Sequence, residues 1–178
     1  MRKTSRRQRN PENSNLSPED KRRRVFQRAV KLLAAKPRST AELRERLLET
    51  KGASKTAVEE VVTRLSEYGY LDDERYAFGY ASLTIKQKPV GRKRLERDLM
   101  LKKVERKTAD EALDIVFNET SEEQLIDRAI EKRLRLRGRP QTREDAKKLF
   151  DYLLRQGFGF ELVSEKVRSA SQTELDDA

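Results

Sequence analysis

Two adjacent carboxylates, Asp72 and Asp73, are the residues whose types and spacing first suggest a chemical role. They lie in the segment Gly-Tyr-Leu-Asp-Asp-Glu-Arg-Tyr-Ala, which spans residues 69–77. A carboxylate pair serves metal binding or acid–base catalysis when a third ligand or a catalytic partner lies nearby, and the neighbouring sequence offers no clear one. An aspartate at the start of a helix also caps its free N–H groups. We interpret the pair as a helix cap, with a metal or acid–base site as the alternative.

The residue types most often used in catalysis and metal binding are missing, because the 178-residue chain contains neither cysteine nor histidine. Disulfide frameworks and thiol chemistry are thereby excluded. The commonest zinc ligands and the commonest general base are absent as well, and no phosphate-binding glycine motif or calcium loop is present. The sequence predicts a protein that is not an enzyme and that uses no cofactor or metal.

Positive charge is the remaining chemical signal, since 41 basic side chains outnumber 31 acidic ones. The excess is local: residues 86–107 contain ten basic and three acidic side chains, and residues 128–143 contain seven and one. Such clusters favour a polyanionic partner, either a nucleic acid or an acidic protein surface. The predicted partner-binding or DNA-binding residues are Lys86, Lys88, Arg92, Lys93, Arg94, Arg97, Lys132, Arg133, Arg135, Arg137 and Arg139.

The first cluster surrounds a helix whose Leu95 and Leu99 must face inward, so its arginines and lysine between 92 and 97 are predicted to point outward. Cations near a helix N-terminus oppose its dipole by about 0.3–1 kcal/mol each, a cost that an acidic or phosphate-bearing partner would offset. The second cluster, between 132 and 139, contains a glycine and precedes a proline, which is typical of a flexible contact loop. A merely solvated charged face is the alternative for both.

Aromatic residues give little indication of direct nucleic-acid reading. Stacking on single strands needs exposed rings, and only Tyr70, Phe78 and Phe160 are candidates. Core positions are favoured for all three.

Nine helical patterns and no convincing strand pattern cover most of the chain. One helix is predicted to place Tyr76, Tyr80 and Leu83 on one face, with alanines beside them. Ser or Thr followed three residues later by Glu or Gln predicts helix starts at Ser39, Thr108 and Ser121.

The nine patterns fall into three groups of three, because a leucine pair recurs in each middle helix. The pairs are Leu43 with Leu47, Leu95 with Leu99, and Leu149 with Leu153. A three-helix unit of this length buries little by itself, so we expect the units to stack end to end. The predicted fold is all-α: three tandem three-helix, helix-turn-helix-like repeats forming an elongated, curved, solenoid-like molecule. Three similar hairpins within one globule are the alternative.

The predicted boundaries are a disordered basic arm over 1–20, repeats over 21–71, 72–119 and 120–170, and an acidic tail over 171–178. Each middle helix ends in a similar turn. The second repeat has Lys103 where the pattern favours glycine, so its helix is predicted to end differently or to run on.

No apolar run approaches the roughly 20 residues needed to cross a bilayer, and the N-terminus lacks the apolar core of a secretory signal. We therefore predict a cytoplasmic protein without membrane contact, and a monomer.

Segment 69–77, followed by Tyr80 and then by Gly91-Arg92-Lys93-Arg94-Leu95 with Leu99, resembles the centre of the RecX family, bacterial regulators of the RecA recombinase. The likeness continues upstream through 36–47 and downstream through 148–158, and it covers roughly residues 22 to 169. The three pieces occur in the expected order and at the expected separations.

This resemblance implies a regulator that binds RecA, as a monomer or as a filament on single-stranded DNA. It implies that the protein lodges in the filament groove, bridges subunits, and inhibits the ATPase, strand-exchange and coprotease activities of RecA. These activities belong to homologous recombination, DNA repair and the SOS response, and weak direct DNA binding is expected alongside. Composition alone favours the alternative, a stand-alone basic helical module that binds DNA or RNA through phosphate contacts. Which cluster contacts RecA and which contacts DNA stays open.

Overall fold

The structure is a computed structural model, and it describes residues 17–172. The regular secondary structure in this part of the chain is entirely helical, which confirms the all-α prediction. Its helices are α1 (Pro18–Ala35), α2 (Thr40–Leu48), α3 (Lys55–Glu67), α4 (Asp73–Gln87), α5 (Arg92–Leu101), α6 (Arg106–Glu119), α7 (Glu122–Arg137), α8 (Arg143–Arg155) and α9 (Phe160–Gln172). Three tandem groups of three helices are present.

Hydroxyl side chains begin most of these helices. The residue before α1, α2, α3, α7 and α8 accepts a hydrogen bond from the backbone N–H three positions later, so the predicted caps Ser39 and Ser121 are confirmed. The predicted start at Thr108 is wrong, because α6 already begins at Arg106. Val104, immediately before α6, and Ala109, within it, are both buried. Their packing holds the start of the helix about one turn before the predicted position.

The first compact unit ends at Asp72 and contains α1, α2 and α3. All three helices pack on one another around a single apolar core. Leu43 and Leu47 of α2 are fully buried in it, as predicted. Leu71 is also buried, so the core extends beyond the left-handed Gly69 that ends α3.

The second compact unit begins at Asp73 and contains α4 to α9, so the second and third repeats share one core. Within it α4 and α5 pack on α6, and α7, α8 and α9 pack on one another. The leucine pairs of α5 and α8 are at most 4% exposed, which confirms their inward orientation. The elongated, curved shape and the repeat boundaries stay predictions.

The backbones of the second and third repeats approach each other so closely that only glycine fits at the contact. The N–H of Gly91 donates to the carbonyl of Gln156 at 3.0 Å, and that of Lys93 donates to Gly157 at 3.2 Å. A Cβ atom at Gly91 would lie 2.4 Å from the carbonyl oxygen of Gly157, and one at Gly157 would lie 2.4 Å from the nitrogen of Arg94. The two repeats therefore interlock at the main chain.

The turn after α5 corrects the prediction made for Lys103. This residue adopts φ +61°, in the left-handed region that Gly157 occupies in the next repeat with φ +91°. Its N–H donates to Met100, and the N–H of Val104 donates to Leu99, the paired bonds of a Schellman cap. The helix ends as α8 of the third repeat does, because these two bonds and the buried Val104 hold a lysine in a glycine conformation.

Both predicted termini overlap helices. Pro18 to Asp20, assigned to the basic arm, belong to α1, and Ser171 and Gln172, assigned to the acidic tail, belong to α9. Ser17 caps α1, and the rest of both segments lies outside the described residues. Between residues 17 and 172, no helix is both long and apolar enough to span a membrane.

Candidate partner interface

Two cations of α5, Lys93 and Arg97, stand on an exposed face of the helix. They are one turn apart, and the Nε of Arg97 donates to the backbone carbonyl of Lys93 at 3.2 Å. Lys86 and Lys88, at the end of α4 and just beyond it, are exposed as well. We call Lys93 and Arg97 the α5 pair. Their outward orientation agrees with the sequence prediction.

Arg92 does not point outward as predicted, because it is held within the protein. Its Nη1 lies 2.7 Å from the Oδ1 of Asp114, its Nε lies 3.1 Å from the Oε1 of Glu96, and its Nη2 donates to the carbonyl of Asp110. The backbone N–H of Arg92 donates to the Oε1 of Glu122 at 3.0 Å. Burial alone would lower the pKa of the guanidinium, but the hydrogen bonds and charges of the two carboxylates raise it. Arg92 thus ties α5 to α6 and α7.

Arg94 is also half-buried and corrects the same prediction. Its Nη1 donates to the side-chain oxygen of Gln156 at 3.0 Å, beside the glycine junction. It lines a small cleft with Tyr80 and Asp98, in which the tyrosine hydroxyl donates to the carboxylate at 3.4 Å. Burial, followed by the charge of Asp98, raises the pKa of Tyr80. The Nζ of Lys102 lies 4.7 Å from the centre of the tyrosine ring.

The second basic cluster is divided between two faces of α7. Arg133 lies over the ring of Tyr152, 4.9 Å from its centre, and lines a groove together with Arg137 and Arg139. Arg135 pairs instead with a glutamate one turn earlier, at 2.9 Å, and neither it nor the exposed Lys132 lines the groove. The helix remains regular through Arg137, so the predicted flexible loop is confined to the residues that follow.

One groove residue was missed in the sequence. Lys148 of α8 lines the groove beside Asp145, and its Nζ lies 3.0 Å from Glu144 and 3.6 Å from Asp145. These contacts raise the pKa of Lys148, chiefly through the hydrogen bond to Glu144. In the sequence, Lys148 follows two acidic residues by three and four positions, a spacing that indicates ion pairs within one helix. That spacing does not show that Lys148 also faces residues of α7.

The three candidate aromatic residues are exposed, contrary to the core positions favoured by the sequence. Tyr70 is 67% exposed, Phe160 is 63% exposed and Phe78 is 36% exposed. Leu71, rather than Tyr70, fills the core after the Gly69 turn. The ring of Phe160 packs edge-to-face on Phe150, with 5.4 Å between centres.

Comparison with known proteins shows which family this chain resembles. Models of the first and second three-helix domains of RecX match residues 26–65 and 72–113. The regulatory protein RecX of Chlorobium limicola is 34% identical over 146 residues, which cover 82% of this chain and 88% of that protein. This chain belongs to the RecX family. The predicted resemblance is thereby confirmed.

Other RecX proteins extend beyond the part that this chain matches. Regulatory protein RecX of Bacillus licheniformis is 29% identical over 153 residues, covering 86% of this chain and 57% of that one. That of Bacillus subtilis is 31% identical over 145 residues, covering 82% and 54%. The chain therefore spans little more than half the length of these relatives. All three relatives are named regulatory proteins, which supports a regulatory role rather than an enzymatic one.

Solved RecX structures share the fold. The crystal structure of RecX from Lactobacillus salivarius has a TM-score of 0.72 at 19% identity and covers 85% of this chain and 97% of its own. A second RecX crystal structure has a TM-score of 0.72 at 21% identity and covers 85% and 73%. At these identities the likeness concerns the fold alone.

Proposed function

We propose that this chain binds the RecA recombinase, as a monomer or as a filament on single-stranded DNA, and inhibits its ATPase, strand-exchange and coprotease activities. Membership of the RecX family is the observation that carries this proposal. The exposed α5 pair supports it, because it offers a recognition surface for the acidic face of a protein partner.

The α5 pair stands on a helix that is already fixed in place. Arg92 ties α5 to α6 and α7, and Arg94 and the glycine junction tie it to the end of α8. A surface that is ordered before binding loses little conformational freedom on association. The α5 pair therefore suits a specific partner better than a mobile charged arm would.

The backbone of α5 does not provide the anion site. The backbone N–H groups of Arg92 and Lys93, at the start of α5, already donate to the carboxylate of Glu122 in α7 and to the carbonyl of Gly157. On α5, recognition of an acidic partner would then rest on the side chains of Lys93 and Arg97. Both side chains can be changed without touching the glycine junction.

The test of the interface reverses the α5 pair. Lys93→Glu with Arg97→Glu is expected to weaken binding to RecA filaments strongly, and most at low salt, where charges are screened least. The matched control, Arg106→Glu with Lys107→Glu, makes the same change of charge at two exposed positions at the start of α6. Equal binding by the two folded variants would contradict the placement of the interface.

A salt titration separates this function from simple competition for DNA. Phosphate-driven DNA binding falls steeply as salt rises, whereas a protein grip on the filament retains inhibition after DNA binding has been lost. We expect inhibition of the RecA ATPase to persist at such salt, and at less than one molecule per RecA subunit. Inhibition that disappears together with DNA binding would instead favour the stand-alone nucleic-acid-binding module.

A further inference from the structure

The backbone N–H groups at the starts of α5 and α8, the middle helices of successive repeats, are satisfied differently. At α5, Gly91 and Lys93 donate to backbone carbonyls of the third repeat. At α8, the N–H of Asp145 donates to the hydroxyl of Thr142, just before the same helix, at 3.1 Å. The second repeat therefore depends on the next one at this point, whereas the third completes its own helix end.

The residue that permits close approach in the second repeat is replaced in the third. The offset that relates Leu95 to Leu149 also relates Gly91 to Asp145. Because a Cβ atom at Gly91 would lie only 2.4 Å from the opposing carbonyl oxygen, the side chain of Asp145 excludes a further contact of that kind. This face of the third repeat therefore carries a charged side chain where the second repeat has bare backbone.

A positively charged groove occupies this face. Arg133, Arg137 and Arg139 line it together with Lys148, and its volume is about 600 Å³. Asp145 is the acidic residue in the lining, and its carboxylate lies 3.6 Å from the Nζ of Lys148. Four cations against one paired carboxylate favour an anionic ligand.

We propose that this groove binds the phosphodiester backbone of a nucleic acid, with Arg137 and Arg139 contacting phosphates. Their forked guanidinium groups match phosphate oxygens, while Arg133 is held against Tyr152 and forms a fixed wall. Among the described lining residues none is aromatic, and Leu149 is buried. The groove lacks the aromatic rings that stack bases. The contact is therefore with the backbone and independent of sequence.

This inference deepens the proposed function, because a RecA filament on single-stranded DNA presents such a backbone. The test uses DNA without RecA, so its result is separate from that of the inhibition assay. Arg137→Gln with Arg139→Gln is compared with Arg128→Gln with Arg168→Gln, a control that removes two exposed arginines of the third repeat that do not line the groove. The probes are fluorescent oligo-dT and a duplex of equal length, titrated over a range of salt with circular dichroism as the check on folding.

The groove variant is expected to bind more weakly and to have a shallower salt dependence. Losing two phosphate contacts reduces the slope of log K against log salt by about 1.4 for a single strand and about 1.8 for a duplex. The control is expected to keep the wild-type slope. A loss confined to one probe supports the proposal and identifies single or double strands as the ligand.

Two results would overturn the assignment. Equal losses in both variants would show a general effect of charge, and no loss in the groove variant would show that DNA binds elsewhere. Retained DNA binding with weakened RecA binding is a form of the second result, and it would identify the groove as a site for an acidic protein surface.

Discussion

Replacing Gly91 by alanine is predicted to loosen the junction between the second and third repeats. The added Cβ atom would lie 2.4 Å from the carbonyl oxygen of Gly157 and 2.5 Å from the nitrogen of Phe158. Both neighbours are backbone atoms, so a side-chain rotation cannot relieve the collision. Gly91 has φ −83°, a value that alanine adopts freely, and the effect therefore comes from packing rather than from backbone strain.

The magnitude follows from the contacts that must separate. Overpacking of this kind costs about 1–3 kcal/mol, and each of the two hydrogen bonds across the junction contributes about 0.5–1.5 kcal/mol. The reduced freedom of alanine in the unfolded chain returns about 0.4–1 kcal/mol. We expect the free energy of unfolding to fall by about 2–4 kcal/mol, and the amide of Lys93 to exchange hydrogen faster, because it loses its bond to Gly157.

Gly79 provides the matched control. It lies on the exposed surface of α4, and a Cβ atom there would meet nothing within 4 Å. Gly79→Ala is therefore expected to stabilise the protein by about 0.5–1 kcal/mol, through helix propensity alone. Urea unfolding followed by circular dichroism compares the two variants. Equal stability of Gly91→Ala and Gly79→Ala would refute the argument that the repeats interlock through main-chain contact.

Three further predictions concern single side chains. Lys103→Gly should raise the free energy of unfolding by about 0.5–1 kcal/mol, because the penalty of about 1–2 kcal/mol for the left-handed conformation exceeds the entropic cost of a more flexible unfolded chain. Lys103→Ala keeps the strained conformation and should give no such gain in the same urea titration. Arg92→Gln should destabilise by about 1–2 kcal/mol, whereas Lys93→Gln should stay within about 0.5 kcal/mol, and equal effects would contradict the assignment of Arg92 as a tie between helices. In a spectrophotometric titration the pKa of Tyr80 should lie above its ordinary value, and Asp98→Asn should lower that pKa only partly, because burial is the larger cause. Since the folded pKa of Tyr80 is the higher one, its contribution to stability is complete below the unfolded value near 10 and is lost as the pH rises through the folded value.

Much of the fold could be predicted because its signals are local. Serines at the helix starts and leucines spaced four apart act within one or two turns, and the structure confirms them. The face of α4 was predicted wrongly in part: Ala77 and Ala81 are buried, whereas Leu83 is 57% exposed. α4 packs on α6 through its small side chains, which allow the two helices to approach. That preference depends on the partner helix, which the sequence of α4 does not specify.

The basic residues illustrate the same limit at the site. Periodicity correctly placed all of them off the leucine face of α5, but it could not separate Arg92 and Arg94 from Lys93 and Arg97. The separation depends on Asp114 in α6 and on Gln156 just after α8, both far along the chain from α5. Whether an arginine reaches a partner protein or a neighbouring helix is decided by tertiary contacts, and helical spacing carries no information about them.

The dependence of α5 on the third repeat also has a consequence for how the protein is made. As the chain leaves the ribosome, the second repeat emerges before the residues that satisfy the start of its middle helix. The amides of Gly91 and Lys93 must remain bound to water until Gln156 and Gly157 have been synthesised. Vectorial folding, one repeat after another, is therefore interrupted here, and a nascent chain stalled before Gln156 should expose this helix end to proteases. Folding of the second unit is then completed only after the turn between α8 and α9 has been synthesised.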